Sequence, residues 1–163
     1  MSMKTFRRIL IANRGEIAVR IIRSARELGI ETIAVYSDVD RSAPHVQLAD
    51  FAVNIGPAPS AHSYLNIPNM LEACHQTKAD AIHPGYGFLS ENAEFAQQVK
   101  DAGITFIGPT PSAISTMGSK LAAKAAVSAF DVPLVPGTSK PIDDVSEAQR
   151  VAHEIGYPGL IKA

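Results

Sequence analysis

Short, continuously apolar runs alternate with segments of helical periodicity along this 163-residue chain, and this alternation constrains the fold more than any other feature. The strand-length runs are Arg8 to Ala12, Thr32 to Tyr36, Phe51 to Ile55, Asp80 to His83 and Thr105 to Ile107. The helical segments are Glu16 to Leu28, Tyr64 to Lys78, Asn92 to Ala102 and Ala113 to Phe130. Strands that are apolar on both faces are typical of a parallel sheet covered by helices. The pattern predicts an α/β, Rossmann-like three-layer domain with a mostly parallel sheet.

The periodic pattern stops at Val132-Pro133, and further Pro and Gly residues follow. We therefore expect a first domain over 1–132 and a linker over 133–141. In the remaining segment, 142–163, Asp144 and Glu147 form a predicted capping pair for a helix that ends at Gly156, and a strand follows from Leu160 to Ala163. One helix and one strand cannot bury a core. We expect 142–163 to be the truncated start of another domain.

Composition and charge exclude several classes of function. Fifteen basic and sixteen acidic residues give a net charge of −1, which provides no overall field for nucleic acid or an anionic membrane. The single cysteine, Cys74, excludes an internal disulfide and suits a reducing compartment. The apolar run from Ile9 to Ala12 is too short for a signal peptide or a membrane span. These features predict a cytoplasmic protein.

The turn after the first strand disfavours a dinucleotide-binding protein, although Asp38 after the second strand imitates the ribose-binding acid of that class. The turn contains one glycine, Gly15, where close approach of a pyrophosphate requires three. Glu16 would also place a negative charge where the phosphate binds. A tight turn with an acidic residue at the start of the helix explains the segment better.

The loop from His83 to Asn92 is the most unusual local string. It follows the carboxyl end of a strand, where open α/β sheets bind ligands, and Gly85 and Gly87 let the backbone turn tightly around Tyr86. The string therefore predicts a loop over a pocket. Ser90 is a predicted cap for the next helix, and a hydrogen-bonded structural role for His83 is favoured over acid or base catalysis.

Two lysines occupy positions that local propensity does not explain. Thr110-Pro111 predicts a helix start, Gly118 ends or hinges that helix, and Lys120 then falls in the first turn of a second helical stretch. Lys162 lies in an apolar strand, where an ammonium group needs a negative partner or solvent. A bound phosphate would account for both lysines, and a solvated surface position remains the alternative for Lys120.

One face of the first predicted helix is charged. Arg20, Arg23 and Glu27 share it at helical spacing, opposite the apolar stripe that faces the core. A solvated, salt-bridged face and a charged subunit contact are both consistent with this pattern.

Seven strings together resemble the biotin carboxylase component of biotin-dependent carboxylases. They are residues 11–18, 55–60, 63–65, 83–92, 106–109, 117–120 and 161–163, in the order and with the spacing of that family. The resemblance implies a Rossmann-like (pre-ATP-grasp) domain followed by the start of an ATP-grasp central domain. It also implies an enzyme that activates bicarbonate with MgATP, as carboxyphosphate, and carboxylates biotin on a carrier protein.

The resemblance also assigns roles to residues. Lys120 and Lys162 match lysines that contact ATP phosphates, Tyr86 and Gly87 match the loop that lines the biotin pocket, and the Arg20, Arg23 and Glu27 face matches the homodimer contact. The implied partners are a biotin carboxyl carrier protein or domain and a carboxyltransferase.

The resemblance implies that the other functional groups lie elsewhere. The family's glycine-rich flap, magnesium ligands and bicarbonate- and biotin-activating residues belong to later parts of its chain, so we expect no catalytic residue and no metal ligand here. The chain alone is therefore expected to be inactive. A catalytically silent binding or oligomerisation module is the alternative. An acyl-CoA carboxylase is favoured as the parent, with pyruvate carboxylase second.

Overall fold

The computed structural model describes residues 6–128, 130, 132–134, 138, 142 and 144–159. The chain forms two compact units, one up to Ile114 and one from Ser115 onward. Much of the predicted linker, 133–141, and the predicted strand from Leu160 to Ala163 lie outside the described residues. The predicted domain boundary at Val132 stays a prediction.

Strands and helices alternate in the first unit. The strands are β1 (Arg8–Ile11), β2 (Glu31–Tyr36), β3 (Phe51–Asn54), β4 (Ala81–His83) and β5 (Thr105–Phe106). The helices are α1 (Gly15–Glu27), α2 (Pro44–Leu48), α3 (Ile67–Thr77), α4 (Ala93–Asp101), α5 (Pro111–Gly118), which reaches into the second unit, and, within the second unit, α6 (Lys120–Ser128) and α7 (Val145–Ile155). Short 3-10 turns occur at Asp38–Asp40 and Ser60–His62.

The five strands of the described residues form one parallel sheet in the order β3-β2-β1-β4-β5. The central strand, β1, pairs Ile11 with Ala34 of β2 on one side and with His83 of β4 on the other. The chain first builds the sheet in one direction from β1 and then returns to build it in the other. The gap beyond the carboxyl ends of β1 and β4 is therefore a topological switch point.

Both faces of the sheet are covered, as the apolar strands predict. Leu10, Ile33 and Ile82 point into the larger core, which includes Met70 of α3 and Phe95 of α4. Ile11 points to the other face, where it packs against Ala18 and Ile22 of α1, with Leu48 of α2 beside them. This three-layer arrangement confirms the predicted fold class.

Most of the predicted elements are present, with shifted ends. Helix α3 begins at Ile67 rather than at Tyr64, because the Asn66 side chain accepts the Asn69 N–H and caps the helix at that point. The predicted helical segment from Ala113 to Phe130 contains two helices. Of the two predicted roles for Gly118, an end or a hinge, the structure shows an end, because α5 stops at Gly118 and α6 begins at Lys120. Helix α2 was not predicted, since five residues are too few to show a period.

Caps explain two further helix starts. Asp144 accepts the Glu147 N–H at 2.8 Å and Gly156 follows the end of α7, which confirms Asp144 as the N-terminal cap and Gly156 as the end of the helix. The prediction that Ser90 caps α4 is wrong: Asn92 caps it by accepting the Phe95 N–H at 2.8 Å. Asn92 is closer in sequence to the first free N–H groups of the helix, and its amide oxygen reaches them.

Replacement of Asn92 by Ala is expected to lower the free energy of unfolding by about 1 kcal/mol, because the Phe95 N–H loses its acceptor. Urea denaturation of the 163-residue chain measures the loss. Ser90→Ala is the matched control and should have a much smaller effect. Equal losses in the two variants would contradict the assignment of the cap.

Candidate functional site

The candidate site lies at the switch point, where the segments that follow β1 and β4 come together. The Ala12 N–H donates to the His83 carbonyl at 2.9 Å, so the two segments remain paired up to the ends of these strands. Beyond this bond, the segment after β1 continues into α1 and the segment after β4 forms the predicted loop. Open parallel sheets place their ligands at such a point.

The loop after β4 turns through backbone conformations that L-residues other than glycine rarely adopt. Gly85 and Gly87 have φ values of +65° and +67°, and Phe88 follows with φ +42°. The Ser90 N–H closes the turn by donating to the Gly87 carbonyl at 2.9 Å. The two glycines therefore do what the sequence predicted, and they leave Tyr86 at the tip of the turn.

The side chain of Asn13 contacts the inner side of this loop. Its Nδ2 donates to the carbonyl oxygens of Pro84 and Tyr86, both at 2.8 Å, and its Oδ1 accepts the Arg14 N–H at 2.9 Å. Asn13 is only 3% exposed. Asn13, two residues after β1, is thereby bonded to the loop that follows β4.

Tyr86 projects from the loop and is 59% exposed. Its hydroxyl donates to Oε1 of Glu16 in the first turn of α1, and this bond is the main reason that the pKa of Tyr86 is raised. A cleft of about 250 Å³ lies between the loop and α1. Its lining includes Tyr86, Gly87 and Phe88 on one side and Arg14, Glu16 and Ile17 on the other.

Phe88 rests on a buried tyrosine. Its ring stacks on that of Tyr64 with centroids 5.2 Å apart and an interplanar angle of 17°. The Tyr64 hydroxyl donates to Oδ2 of Asp40 at 2.7 Å and accepts the Ser37 N–H at 3.1 Å. Burial is the main cause, and the bond to Asp40 the second, of a rise in the pKa of Tyr64 to about 12. The hydroxyl therefore keeps its proton.

Asp40 connects this tyrosine to the turn after β1. Burial raises its pKa, but the bonds from Tyr64 and Ser37 and the charge of Arg14 outweigh burial and hold the pKa below its usual value. The Arg14 guanidinium lies 3.2 Å from Oδ1, and the Ser37 hydroxyl donates to Oδ2 at 2.9 Å. Asp40 is 9% exposed and remains a carboxylate at neutral pH because three donors surround it.

His83 has the structural role that the sequence favoured. Its Nδ1 accepts the Gly85 N–H at 3.0 Å, which shapes the start of the loop, and burial lowers the pKa of its imidazole. A neutral ring with this nitrogen unprotonated suits an acceptor.

The predicted site residues fall into three groups. Tyr86 and Gly87 both line the cleft. Lys120 is the first residue of α6 in the second unit, and nothing in the structure describes its side chain. Lys162 lies outside the described residues. The phosphate contacts of the two lysines therefore remain predictions.

The charged face of α1 is exposed as predicted. Arg20 and Arg23, with Val19 and Pro44, line a second, shallow cleft of about 450 Å³. Within the described part of the chain, no ion pair involves Arg20, Arg23 or Glu27. The salt-bridged version of the solvated face is thus not observed there, and the alternative of a subunit contact remains a prediction.

Sequence reasoning missed the residues that hold the loop, namely Asn13, Arg14, Asp40 and Tyr64. For Asn13 the sequence contained part of a signal, because a polar amide directly follows the predicted first strand, but its contact with a loop 71 residues later depends on the order of the strands. For Asp40 and Tyr64, which are 24 residues apart, the sequence contains no comparable signal.

No three His, Cys, Asp or Glu side chains of the described residues lie close enough together to hold a metal ion. None of the described helices has the length and apolar character needed to cross a membrane.

A parallel α/β sheet with a cleft at its switch point defines the class: a ligand-binding domain of the open, doubly wound type. The model of the biotin carboxylase N-terminal domain matches residues 5–114, and that of the carbamoyl-phosphate synthase L chain ATP-binding domain matches residues 119–163. The chain belongs to the biotin carboxylase family, which confirms the resemblance noted from its sequence.

Individual relatives agree. The chain is 56% identical over 157 residues to biotin carboxylase of Haemophilus influenzae, covering 96% of this chain and 35% of that protein. It is 52% identical to the mitochondrial propionyl-CoA carboxylase alpha chain of Mus musculus, covering 98% of this chain and 22% of that one. The chain thus spans about a third or less of these relatives.

Among solved structures, the chain resembles the biotin carboxylase domain dimer of Hydrogenobacter thermophilus 2-oxoglutarate carboxylase, in complex with MgADP, ADP and bicarbonate. The TM-score is 0.88 at 47% identity, and the match covers 95% of this chain and 34% of that one. It also resembles the Campylobacter jejuni biotin carboxylase in complex with an ATP analogue, with a TM-score of 0.88 at 44% identity, covering 94% of this chain and 34% of that one.

Asp40 is expected to make the stability of the chain depend on pH in acid. Because its folded pKa lies below the unfolded value of 3.8, its contribution is complete above that value and is lost as pH falls through the folded pKa. Asp40→Asn should therefore be less stable than the unsubstituted chain near neutral pH, and the difference should shrink below about pH 4.

Urea denaturation at a series of pH values measures this difference. Asp50, whose pKa the Thr32 N–H lowers, titrates in both proteins, so the difference between the two curves reports on Asp40. Parallel curves through this pH range would contradict the role of Asp40.

Proposed function

We propose that this chain is the N-terminal part of a biotin carboxylase, which uses MgATP and bicarbonate to carboxylate biotin on a carrier protein. The observation that carries the proposal is the cleft at the switch point, with Tyr86 and Gly87 along one wall, in a chain of this family. The relatives are about three times as long as the matched segment or longer. The activity would accordingly belong to a longer protein.

The cleft suits part of a biotin pocket. Its 250 Å³ is near the lower end for ligand sites and would hold a group of the size of the biotin rings. The rings of Tyr86 and Phe88 offer apolar contact, and Gly87 leaves backbone accessible because nothing lies within 4 Å of the position of a Cβ. In this proposal Tyr86 and Gly87 bind and orient biotin, and neither transfers a proton.

ATP would supply the phosphoryl group that activates bicarbonate. Lys120 and Lys162 are proposed to hold its phosphates, since a lysine ammonium is a compact charge that neutralises phosphate without a fixed bidentate geometry. The Mg²⁺ ligands are proposed to lie in later parts of the longer protein, as the family resemblance implies.

Biotin carboxyl carrier protein (or a carrier domain) and a carboxyltransferase are the proposed partners, in the cytoplasm. The N-terminal region does not identify the acyl acceptor, because relatives that share this region are named for propionyl-CoA, 2-oxoglutarate and pyruvate. An acyl-CoA carboxylase remains our proposal, and pyruvate carboxylase is the alternative.

Substitution in the full-length protein tests the proposal. Tyr86→Ala should raise KM for biotin by about tenfold, as expected for the loss of an aromatic contact in a partly exposed site, and should leave the bicarbonate-dependent ATPase without biotin unchanged. Lys120→Met is the contrasting variant, because it should impair ATP use with and without biotin. Steady-state kinetics with free biotin distinguishes the two. Unchanged biotin kinetics in Tyr86→Ala would refute its assignment to the pocket.

The charged face of α1 is proposed as half of a two-fold homodimer contact in the full-length protein. Arg20, Arg23 and Glu27 are exposed there without a described ion-pair partner, which leaves them available to opposite charges across an axis. The second candidate function is an oligomerisation module, in which this contact would be the main role of the chain.

Charge reversal tests the interface. Arg23→Glu should weaken the full-length dimer, more strongly at low than at high salt, because the interaction is between charges near solvent. Lys100→Glu, an exposed reversal on α4 at the opposite face of the sheet, is the matched control. Sedimentation equilibrium measures the dissociation constant. An equal effect of the two reversals would assign the dimer contact to another surface.

A further inference from the structure

The loop that carries Tyr86 is closed by bonds from the Gly85 N–H to His83 Nδ1 and from the Ser90 N–H to the Gly87 carbonyl, but neither bond holds the carbonyls of Pro84 and Tyr86. Two of its residues are glycines at positive φ, and Tyr86 and Gly87 are both exposed. Glycine loses more conformational freedom on folding than any other residue, so such a turn needs external bonds to keep one geometry. These bonds must come from a side chain outside the loop.

Asn13 supplies two of them at the same point. One amide nitrogen donates to the carbonyls on both sides of Gly85, those of Pro84 and Tyr86, each at 2.8 Å. These two bonds use both hydrogens of the amide, and the bond from the Arg14 N–H orients its oxygen away from the loop. The Asn13 amide therefore fixes the orientation of two peptide units, the one that follows Pro84 and the one that follows Tyr86.

The loop is shaped to accept this amide. A Cβ at Gly85 would lie 2.8 Å from Nδ2 and 3.1 Å from Cγ of Asn13, so only glycine allows the approach. Asn13 is itself anchored, because it directly follows Ala12, whose N–H is bonded to the β4 end at 2.9 Å. The loop is thereby connected to the central strand of the sheet.

We infer that Asn13 is a positioning residue for biotin use, which acts by holding the backbone of residues 84–86 so that Tyr86 faces the cleft. The inference rests on the proposed biotin site of Tyr86 and Gly87. Asn13 itself does not react. Its contribution is that the loop is already in the binding geometry when biotin arrives, so that binding does not have to order it.

The chemistry of the contact requires an amide. An aspartate has the same shape, but an acceptor oxygen would replace the Nδ2 donor and would repel the two carbonyl oxygens. A protonated aspartic acid would again donate to one carbonyl. Burial raises the pKa of such a carboxyl, so lowering the pH to about 5 should restore part of the contact in Asn13→Asp and nothing in Asn13→Ala.

Amide hydrogen exchange of the 163-residue chain tests the loop directly. Protection factors at 85–90 are expected to fall by roughly tenfold in Asn13→Ala and Asn13→Asp at neutral pH, while those in β1 and β4 keep their values. In Asn13→Asp they should recover partly at about pH 5. Asn69→Asp is the matched control, since the Asn69 amide donates to the Ile55 carbonyl at 2.8 Å and to none in the loop.

Unchanged protection at 85–90, or an equal loss throughout the sheet, would overturn the inference. Should an Asn13 variant fail to fold, Gly85→Ala disturbs the same contact from the loop side and should give the same local loss. Unchanged protection in that variant would also overturn the inference.

Kinetics of the full-length protein tests the connection to function. Both Asn13 variants should raise KM for biotin and leave the biotin-independent ATPase unchanged, with partial recovery of KM at lower pH in Asn13→Asp only. A loosened loop with unchanged KM, while Tyr86→Ala raises it, would overturn the role of Asn13 in biotin use. If the unsubstituted enzyme showed no turnover with biotin, the proposed function would fail, and hydrogen exchange would still decide whether Asn13 holds the loop.

Discussion

Pairing of β1 with a parallel neighbour on each side is the constraint on which the rest of the first unit depends. Ile11 is in register with Ala34 on one side and with His83 on the other, which places the ends of β1 and β4 side by side. The candidate site is formed by the few residues that follow these two strands. A shift of one residue in either register would exchange the faces of a buried strand, so the same core that stabilises the sheet also aligns the two segments of the site.

The site then depends on hydrogen bonds and an ion pair made by Asn13, Arg14, Asp40 and Tyr64. The two ends of the loop are held by different means: Asn13 bonds its backbone near Gly85, and Tyr64 supports it through the ring of Phe88. Arg14 links the two supports, because it follows Asn13 in the chain and its guanidinium contacts Asp40, the acceptor of the Tyr64 hydroxyl. Buried polar groups are costly unless they are satisfied, so this network favours one arrangement of the loop over its alternatives.

The sequence predicted the layers and the position of the loop because both depend on local patterns. Apolar runs predict buried strands, and two glycines around Tyr86 predict a tight turn at a strand end. Local patterns place the Asn13 amide at the end of the predicted first strand, but its contact with Pro84 and Tyr86 depends on β1 and β4 being neighbours in the sheet. The contact of Asp40 with Tyr64 could not be predicted, because it is set by the packing of segments that are far apart in the chain, and α2 was too short to show a period.

The backbone and the side chain of Tyr86 are held by different residues. Its carbonyl is bonded to Asn13 from within, while its hydroxyl bonds to Glu16 across the cleft. Glu16, which made a dinucleotide site implausible because of its charge at the start of α1, instead accepts a hydrogen bond from the loop. Arg14 and Glu16, which both line the cleft, offset each other in charge, and Glu16 disfavours phosphate at this helix terminus, so the cleft fits the uncharged rings of the proposed ligand better than it fits a phosphate.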